Sequence, residues 1–150
     1  MSQTNLVVAH FLDGRIVRGT TQDFFPTRPT FHVLPVDGSR GILVQLSLVK
    51  AVFFVKDLRG DADRIDVRGF LTAPPEATHG RKIAARFPDT ELICGYAQSY
   101  SPNRDGFFVF PADAGSNNLR VFVVKASTVE IREGAEAEGL AQRVIDAEAA

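Results

Sequence analysis

Residues 7–38, VVAHFLDGRIVRGTTQDFFPTRPTFHVLPVDG, align without a gap on residues 83–114, IAARFPDTELICGYAQSYSPNRDGFFVFPADA, at a spacing of 76 positions (83 minus 7). The identical pairs are Ala9 with Ala85, Phe11 with Phe87, Asp13 with Asp89, Gly19 with Gly95 and Gln22 with Gln98. They continue through Pro26 with Pro102, Arg28 with Arg104, Phe31 with Phe107, Val33 with Val109, Pro35 with Pro111 and Asp37 with Asp113. After a length difference the halves rejoin as VQLSLVKAVFFV (44–55) against VFVVKASTVEI (121–131). Turn formers and core formers recur in one order, which predicts an internal duplication.

Each half reads as five short strands. In the first half these are NLVVAHFL, RIVRGTTQDF, TFHVLP, GILVQLSL and AVFFVK; in the second, KIAARF, ELICGYAQSY, GFFVFP, LRVFVV and STVEIR. Asp13-Gly14 is a strong hairpin signal, and Gly19 and Gly95 sit mid-strand, where glycine marks a bulge or bend. Five strongly bent strands in some fifty residues predict an all-β fold: a tandem repeat of two small five-stranded barrels of the Sm or SH3 kind. Closure would remove the exposed edges of so small a sheet. The expected boundaries are 1–57 for the first barrel, 58–81 for a linker, 82–133 for the second barrel and 134–150 for a short C-terminal helix. In that helix Leu140, Val144 and Ile145 recur at helical spacing. Ile65, Val67, Phe70 and Leu71 are the linker residues expected to anchor it, and Pro74-Pro75 stiffens it.

Alternation sorts the faces. Val7, Ala9 and Phe11 with Ile83, Ala85 and Phe87 should point inward, as should Phe31, Val33, Phe107 and Val109. His10 falls outside, and Phe108 and Phe110 lie on the outer face of their strand. One barrel of this size buries too little to stand comfortably alone, so the modules are expected to pack together partly through these two rings.

Composition narrows the function. The 150 residues carry a net charge of −1, with 45% apolar and 23% charged residues. No overall attraction to a polyanion is built in. The single cysteine, Cys94, rules out an internal disulfide and a Cys-based zinc cage. Its counterpart is Arg18, an ordinary strand position. The N-terminal segment lacks a basic-then-apolar leader and no stretch has the length of a membrane span, so a cytoplasmic protein is expected. His10, His32 and His79 lack metal-ligand spacing, and Asp57, Asp61, Asp63 and Asp66 lack the EF-hand pattern. Arg59-Gly60-Asp61 reads as a turn. No P-loop, GxGxxG, GxSxG or HExxH occurs. The reading is a non-enzyme with no cofactor and no metal.

The run F-x-D-G-x-x-x-x-G-x-x-x-[DS]-[FY] resembles the first Sm motif, and KASTVEI resembles a strand of Hfq-type Sm proteins. That likeness implies a small barrel and RNA binding. The Asp and Asn that hold a base in Sm proteins are not clearly matched in the first copy, and Val124-Lys125-Ala126 stands where Hfq has Tyr-Lys-His. Over nearly its full length the chain resembles an uncharacterised bacterial domain family through GTTQDFFP-x-R-P-x-F, KAVFFVKDLRGD and PAD-x-x-SNN-x-RVFV. This second likeness implies a signalling context near PilZ domains. The PilZ pattern itself, R-x-x-x-R then [DN]-x-S-x-x-G, is each time one residue short here: Arg15-x-x-Arg18 and Asp37-x-Ser39-Arg40-Gly41.

The leading site candidate is the doubled loop Q-x-[FY]-x-P-x-R. It carries Gln22, Phe24 and Arg28 in one copy and Gln98, Tyr100 and Arg104 in the other, and a ring beside a guanidinium stacks on a base, a peptide or an anion. Phe108 and Phe110 complete the expected partner-binding set. Ser116-Asn117-Asn118 with Arg120 is a weaker candidate. The expected function is a non-catalytic protein–protein interaction module, an adaptor or regulator in bacterial signalling, in motility or cyclic-nucleotide pathways. An Sm-like nucleic-acid binder and a PilZ-like cyclic-dinucleotide sensor are the alternatives. Protein partners rank above nucleic acid, no membrane is expected, and an oligomer is compatible with the sequence.

Overall fold

Asp13 and Gly14 turn the chain sharply. Gly14 takes φ +92°, its amide donates to the Phe11 carbonyl, and the Asp13 carboxylate accepts from the Arg15 amide. The hairpin so made opens a computed structural model that describes residues 4–58, 70, 80–97, 100–101, 103–113 and 116–149. The strands are β1 (Asn5–Phe11), β2 (Ile16–Thr21), β3 (Thr30–Val33), β4 (Ile42–Gln45) and β5 (Val49–Val55). They continue as β6 (Arg81–Arg86), β7 (Leu92–Ala97), β8 (Gly106–Pro111), β9 (Asn118–Val124) and β10 (Glu130–Glu133). A 3-10 turn precedes β5 (Leu46–Leu48) and another precedes β10 (Lys125–Ser127), and helix α1 spans Ala135–Ala149. The protein is thus mostly β with one C-terminal helix.

The two barrels expected from the sequence are not closed. Eight strands form one open sheet in the order β10-β6-β7-β8-β9-β5-β1-β2, and β3-β4 form a separate ribbon joined to β2 by a single bridge, Thr20 to Leu34. The physical reason lies in β5. It pairs with β1 on one edge and gives the other edge to β9 of the second half. An edge that closure would have hidden is satisfied by the other half instead.

β5 is buried at every position, as its near-continuous apolar run VKAVFFV requires of a strand covered on both faces. Ala51, Phe53 and Val55 enter one core with Ile83, Phe87, Phe107 and Val121. Val49, Val52 and Phe54 enter the other with Val7, Phe31, Val33 and Phe122. The strand is also pinned at its polar groups. The Ser127 hydroxyl donates to the Val49 carbonyl at 2.8 Å, and the Asn117 side-chain amide donates to the Asp57 carbonyl at 2.7 Å.

The expected inward residues are buried: Val7, Ala9, Phe11, Phe31, Val33, Ile83, Ala85, Phe87, Phe107 and Val109. His10 departs from expectation. It is half-buried, its ring stacks on Phe53 at 4.5 Å, and burial holds its pKa below the ordinary histidine value. The linker residues Ile65, Val67, Leu71, Pro74 and Pro75 lie outside the described residues, as do His79, Asp61, Asp63 and Asp66. Phe70 packs against the patch formed by Ala84, Ala137, Leu140 and Val144, where α1 docks on β6. Glu136 and Glu138 in the first turn of α1 suit the positive end of its dipole.

Gly19 and Gly95 do the same work 76 positions apart (95 minus 19). A Cβ on Gly19 would lie 2.2 Å from the Leu34 carbonyl oxygen, and one on Gly95 2.0 Å from that of Phe110. Both are sites where a neighbouring strand passes too close for any side chain. Gly19→Ala and Gly95→Ala should each lower stability by about 1–3 kcal/mol through forced backbone displacement. Gly139→Ala, on the open side of α1, should raise it by about 0.5–1 kcal/mol. Urea denaturation of the three variants checks this, and a Gly19→Ala protein as stable as wild type would refute the close approach.

Candidate functional site

The doubled loops end alike. Arg28 donates its amide to the Phe25 carbonyl at 3.0 Å, and Arg104 donates to that of Ser101 at 3.0 Å. Both arginines therefore leave equivalent tight turns, since 28 and 104, like 25 and 101, differ by 76. The aromatic members serve packing. Phe24 sits among Phe31, Phe54, Phe108 and Phe122, with ring centroids 5.0–6.1 Å away in edge-on geometry. Tyr100 meets Phe107 in the same way at 4.8 Å. Each plugs the end of its own core.

What remains for binding are the arginines, and both border one cleft. Arg28 and Arg104 line one cleft of about 620 Å³, with Pro26, Thr27, Pro29 and Asn103 on its walls. Leu46, Phe122 and Val124 supply apolar lining, and Lys125 adds a third cation against the single carboxylate of Asp105. Arg28 stacks on the exposed Phe25 ring at 4.4 Å. Among the described residues neither Arg28 nor Arg104 forms an ion pair. Two forked donors, an ammonium and an apolar lining make a site for a planar anionic group with an apolar flank.

Of the expected site residues, the cleft thus gathers Arg28 and Arg104. Gln22 is turned away and donates to the Thr4 hydroxyl at 2.9 Å. Gln98 lies outside the described residues. Phe108 joins the aromatic cluster with Phe24, Phe54 and Phe122. Arg120 lies across Phe54 and Phe108 at 4.6 and 4.5 Å, and burial alone lowers its pKa. Phe110 is half-buried opposite Tyr96 and is not in the cleft. The Asn loop is structural: Ser116 accepts from the Asn118 amide, and Asn117 clamps the backbone of Asp57. Lys125 reaches the cleft from the 3-10 turn between β9 and β10, and it falls between the segments LRVFVV and STVEIR, where no local pattern marks a site residue.

A second concavity of about 450 Å³ gathers Asp89, Glu91, Asp113 and Glu148 around Lys50, with Cys94 on its wall. Lys50 is almost fully buried, and its Nζ lies 2.8 Å from Asp89 and 2.5 Å from Glu91. Burial pushes its pKa down, but the hydrogen bonds and charges of Asp89 and Glu91 outweigh this and hold it above the ordinary lysine range. The Lys50 hydrogen bond in turn holds the Asp89 carboxyl below the usual value. Among the described residues no group of three His, Cys, Asp or Glu is placed to hold a metal ion, and no helix is long and apolar enough to cross a membrane.

The chain belongs to a family of unknown function, DUF6982, whose model matches residues 3–142. No curated protein and no solved structure matches it.

Asp23 fixes the first loop. Its carboxylate accepts from the His32 amide at 2.8 Å and the Thr21 hydroxyl at 3.2 Å, and it meets His32 Nδ1 at 2.7 Å. Burial raises its pKa, but these bonds together hold it below the usual carboxylate range. A depressed folded value means stabilisation that is present above the unfolded pKa and lost as pH falls through the folded one. Asp23→Ala should cost about 1 kcal/mol at neutral pH, at the low end because the side chain is 41% exposed and solvent-screened. Urea titrations at neutral and strongly acidic pH should show the gap between variant and wild type closing on acidification; a gap independent of pH would contradict the assignment.

Proposed function

We propose that the chain is a non-catalytic interaction module that takes an acidic segment of a partner protein into the cleft between its two repeated loops. The single observation carrying this is that Arg28 and Arg104, from equivalent turns of the two halves, line one cleft, and that neither forms an ion pair among the described residues. Carboxylates of a bound segment would supply bidentate partners, and its apolar side chains would cover Leu46, Phe122 and Val124. The volume matches a site for a few side chains. Positive charge confined to a cleft, in a chain of net charge −1, favours short-range recognition of a peptide over capture of a long polyanion.

On this reading the halves are two copies of one five-stranded module. The paired glycines, paired turns and paired aromatic plugs support it. So does the placement of one loop from each copy at the same cleft. We set the module in cytoplasmic bacterial signalling, as an adaptor or regulator, and what supports this is the sequence resemblance to a domain family expected near PilZ domains. An Sm-like role toward nucleic acid and a cyclic-dinucleotide role remain the competing outcomes of the test.

The test uses fluorescence anisotropy with an array of labelled peptides in which Asp and Glu flank apolar residues, alongside a cyclic dinucleotide and a single-stranded oligonucleotide. The best acidic peptides should bind, and Arg28→Glu/Arg104→Glu should weaken them at least about tenfold. Arg18→Glu, an exposed charge that does not line the cleft, should bind as wild type. Unchanged affinity in the double variant, or tighter binding of the dinucleotide or oligonucleotide than of any peptide, would overturn the proposal.

A further inference from the structure

We infer that the unpaired strand edges of β4 and β10 are the two sides of one joint, and that a second copy of this chain closes it head to tail. Register carries the argument. β5 lies on β1 with Phe54 opposite Val7, and β10 lies on β6 with Glu133 opposite Ile83. Ile83 is 76 positions beyond Val7, so β10 occupies the place of β5 at an offset of 79 (133 minus 54). In the same way Thr30 faces Gln45 across β3-β4, and Gly106 faces Val124 across β8-β9. Gly106 is 76 beyond Thr30, so β9 occupies the place of β4, again at 79 (124 minus 45). Within the chain, β5 pairs with β9. Their counterparts β10 and β4 have no such strand partner among the described residues. Each therefore presents an edge of the kind that the internal joint already accepts.

The internal register transfers directly. Val52 opposite Phe122 becomes Ile131 opposite Leu43 of the next copy, and Phe53 opposite Val121 becomes Arg132 opposite Ile42. Phe54 opposite Arg120 becomes Glu133 opposite Gly41, which places that carboxylate beside the exposed Arg40. The surface chemistry agrees. Leu43 is 52% exposed and shares one face of the β3-β4 ribbon with the exposed Leu34, while Ile42, 38% exposed, lies on the other face at the same open edge. A contiguous apolar patch beside an open strand edge marks an interface, whereas scattered exposed apolar residues do not. A main-chain ladder supplies the affinity and the apolar pairs the register. Each copy uses β4 on one side and β10 on the other, so the contact is heterologous and runs on into a ring or a filament.

Two measurements test it. By sedimentation, wild-type mass should exceed that of the 16.4 kDa chain and rise with concentration. Leu43→Lys, at an exposed position, should weaken association at least tenfold with circular dichroism and melting temperature unchanged. Ile42→Cys with Arg132→Cys, in a Cys94→Ala background, should form intermolecular disulfides on mild oxidation, because the register brings these positions face to face. Gln45→Cys with Arg132→Cys, three residues out of register, should cross-link at least tenfold less. A wild-type chain that stays monomeric to millimolar concentration, association indifferent to Leu43→Lys, or equal cross-linking of the two cysteine pairs would overturn the inference.

Discussion

One strand, β5, is the constraint on which the rest depends. It is buried on both faces and paired on both edges, with alternate residues in the two main cores. Neither half could keep its core if β5 were withdrawn, because Phe53 and Phe54 point to opposite sides and each fills a different one. The polar ties agree with this placement. Lys50 reaches the β6-β7 turn at Asp89 and Glu91, Ser127 holds the Val49 carbonyl, and Asn117 holds the backbone of Asp57. Every one of them runs from β5 or its end to the second half.

The site follows from the same joint. Pairing β5 with β9 brings Phe54 and Phe122 into one aromatic cluster around Phe24. Phe24 then anchors the loop that carries Arg28, while Phe122 lines the cleft that Arg104 and Lys125 share. The division of labour within the Q-x-[FY]-x-P-x-R loops is physical. An aromatic ring gains most from burial, and a guanidinium pays heavily for it unless paired, so the ring turns in and the cation turns out.

Much of the fold was legible in the sequence because it rests on local signals. Asp13-Gly14 marked the first hairpin, and period-two alternation gave the inward faces of β1, β3, β6 and β8. Each of the ten strands falls on a segment whose pattern predicts one. What was not legible depends on pairing between distant segments. AVFFVK reads as a strand, but nothing local says that its second edge meets β9 and not β4, and that choice decides between closed barrels and an open sheet. The site shows the same division. Arg28 and Arg104 stood out because the repeat doubled them. Lys125, Phe122 and Leu46 come to the cleft only through that pairing. Lys50 and Asp89 were hidden for a related reason: Asp13, the counterpart of Asp89, binds its neighbour Arg15 instead.

The β5-β9 joint is tested most directly by native-state hydrogen exchange along a series of denaturant concentrations. The account predicts that the amides of 51–54 and 121–123 exchange only by global unfolding, with the same free energy and the same denaturant slope, so that the hairpins β1-β2 and β6-β7 cannot outlast them. Contrary data would be early exchange at β5 and β9 while β1-β2 and β6-β7 stay protected, each losing protection at its own denaturant concentration. The two halves would then be independent bodies, and β5 would not be their common wall.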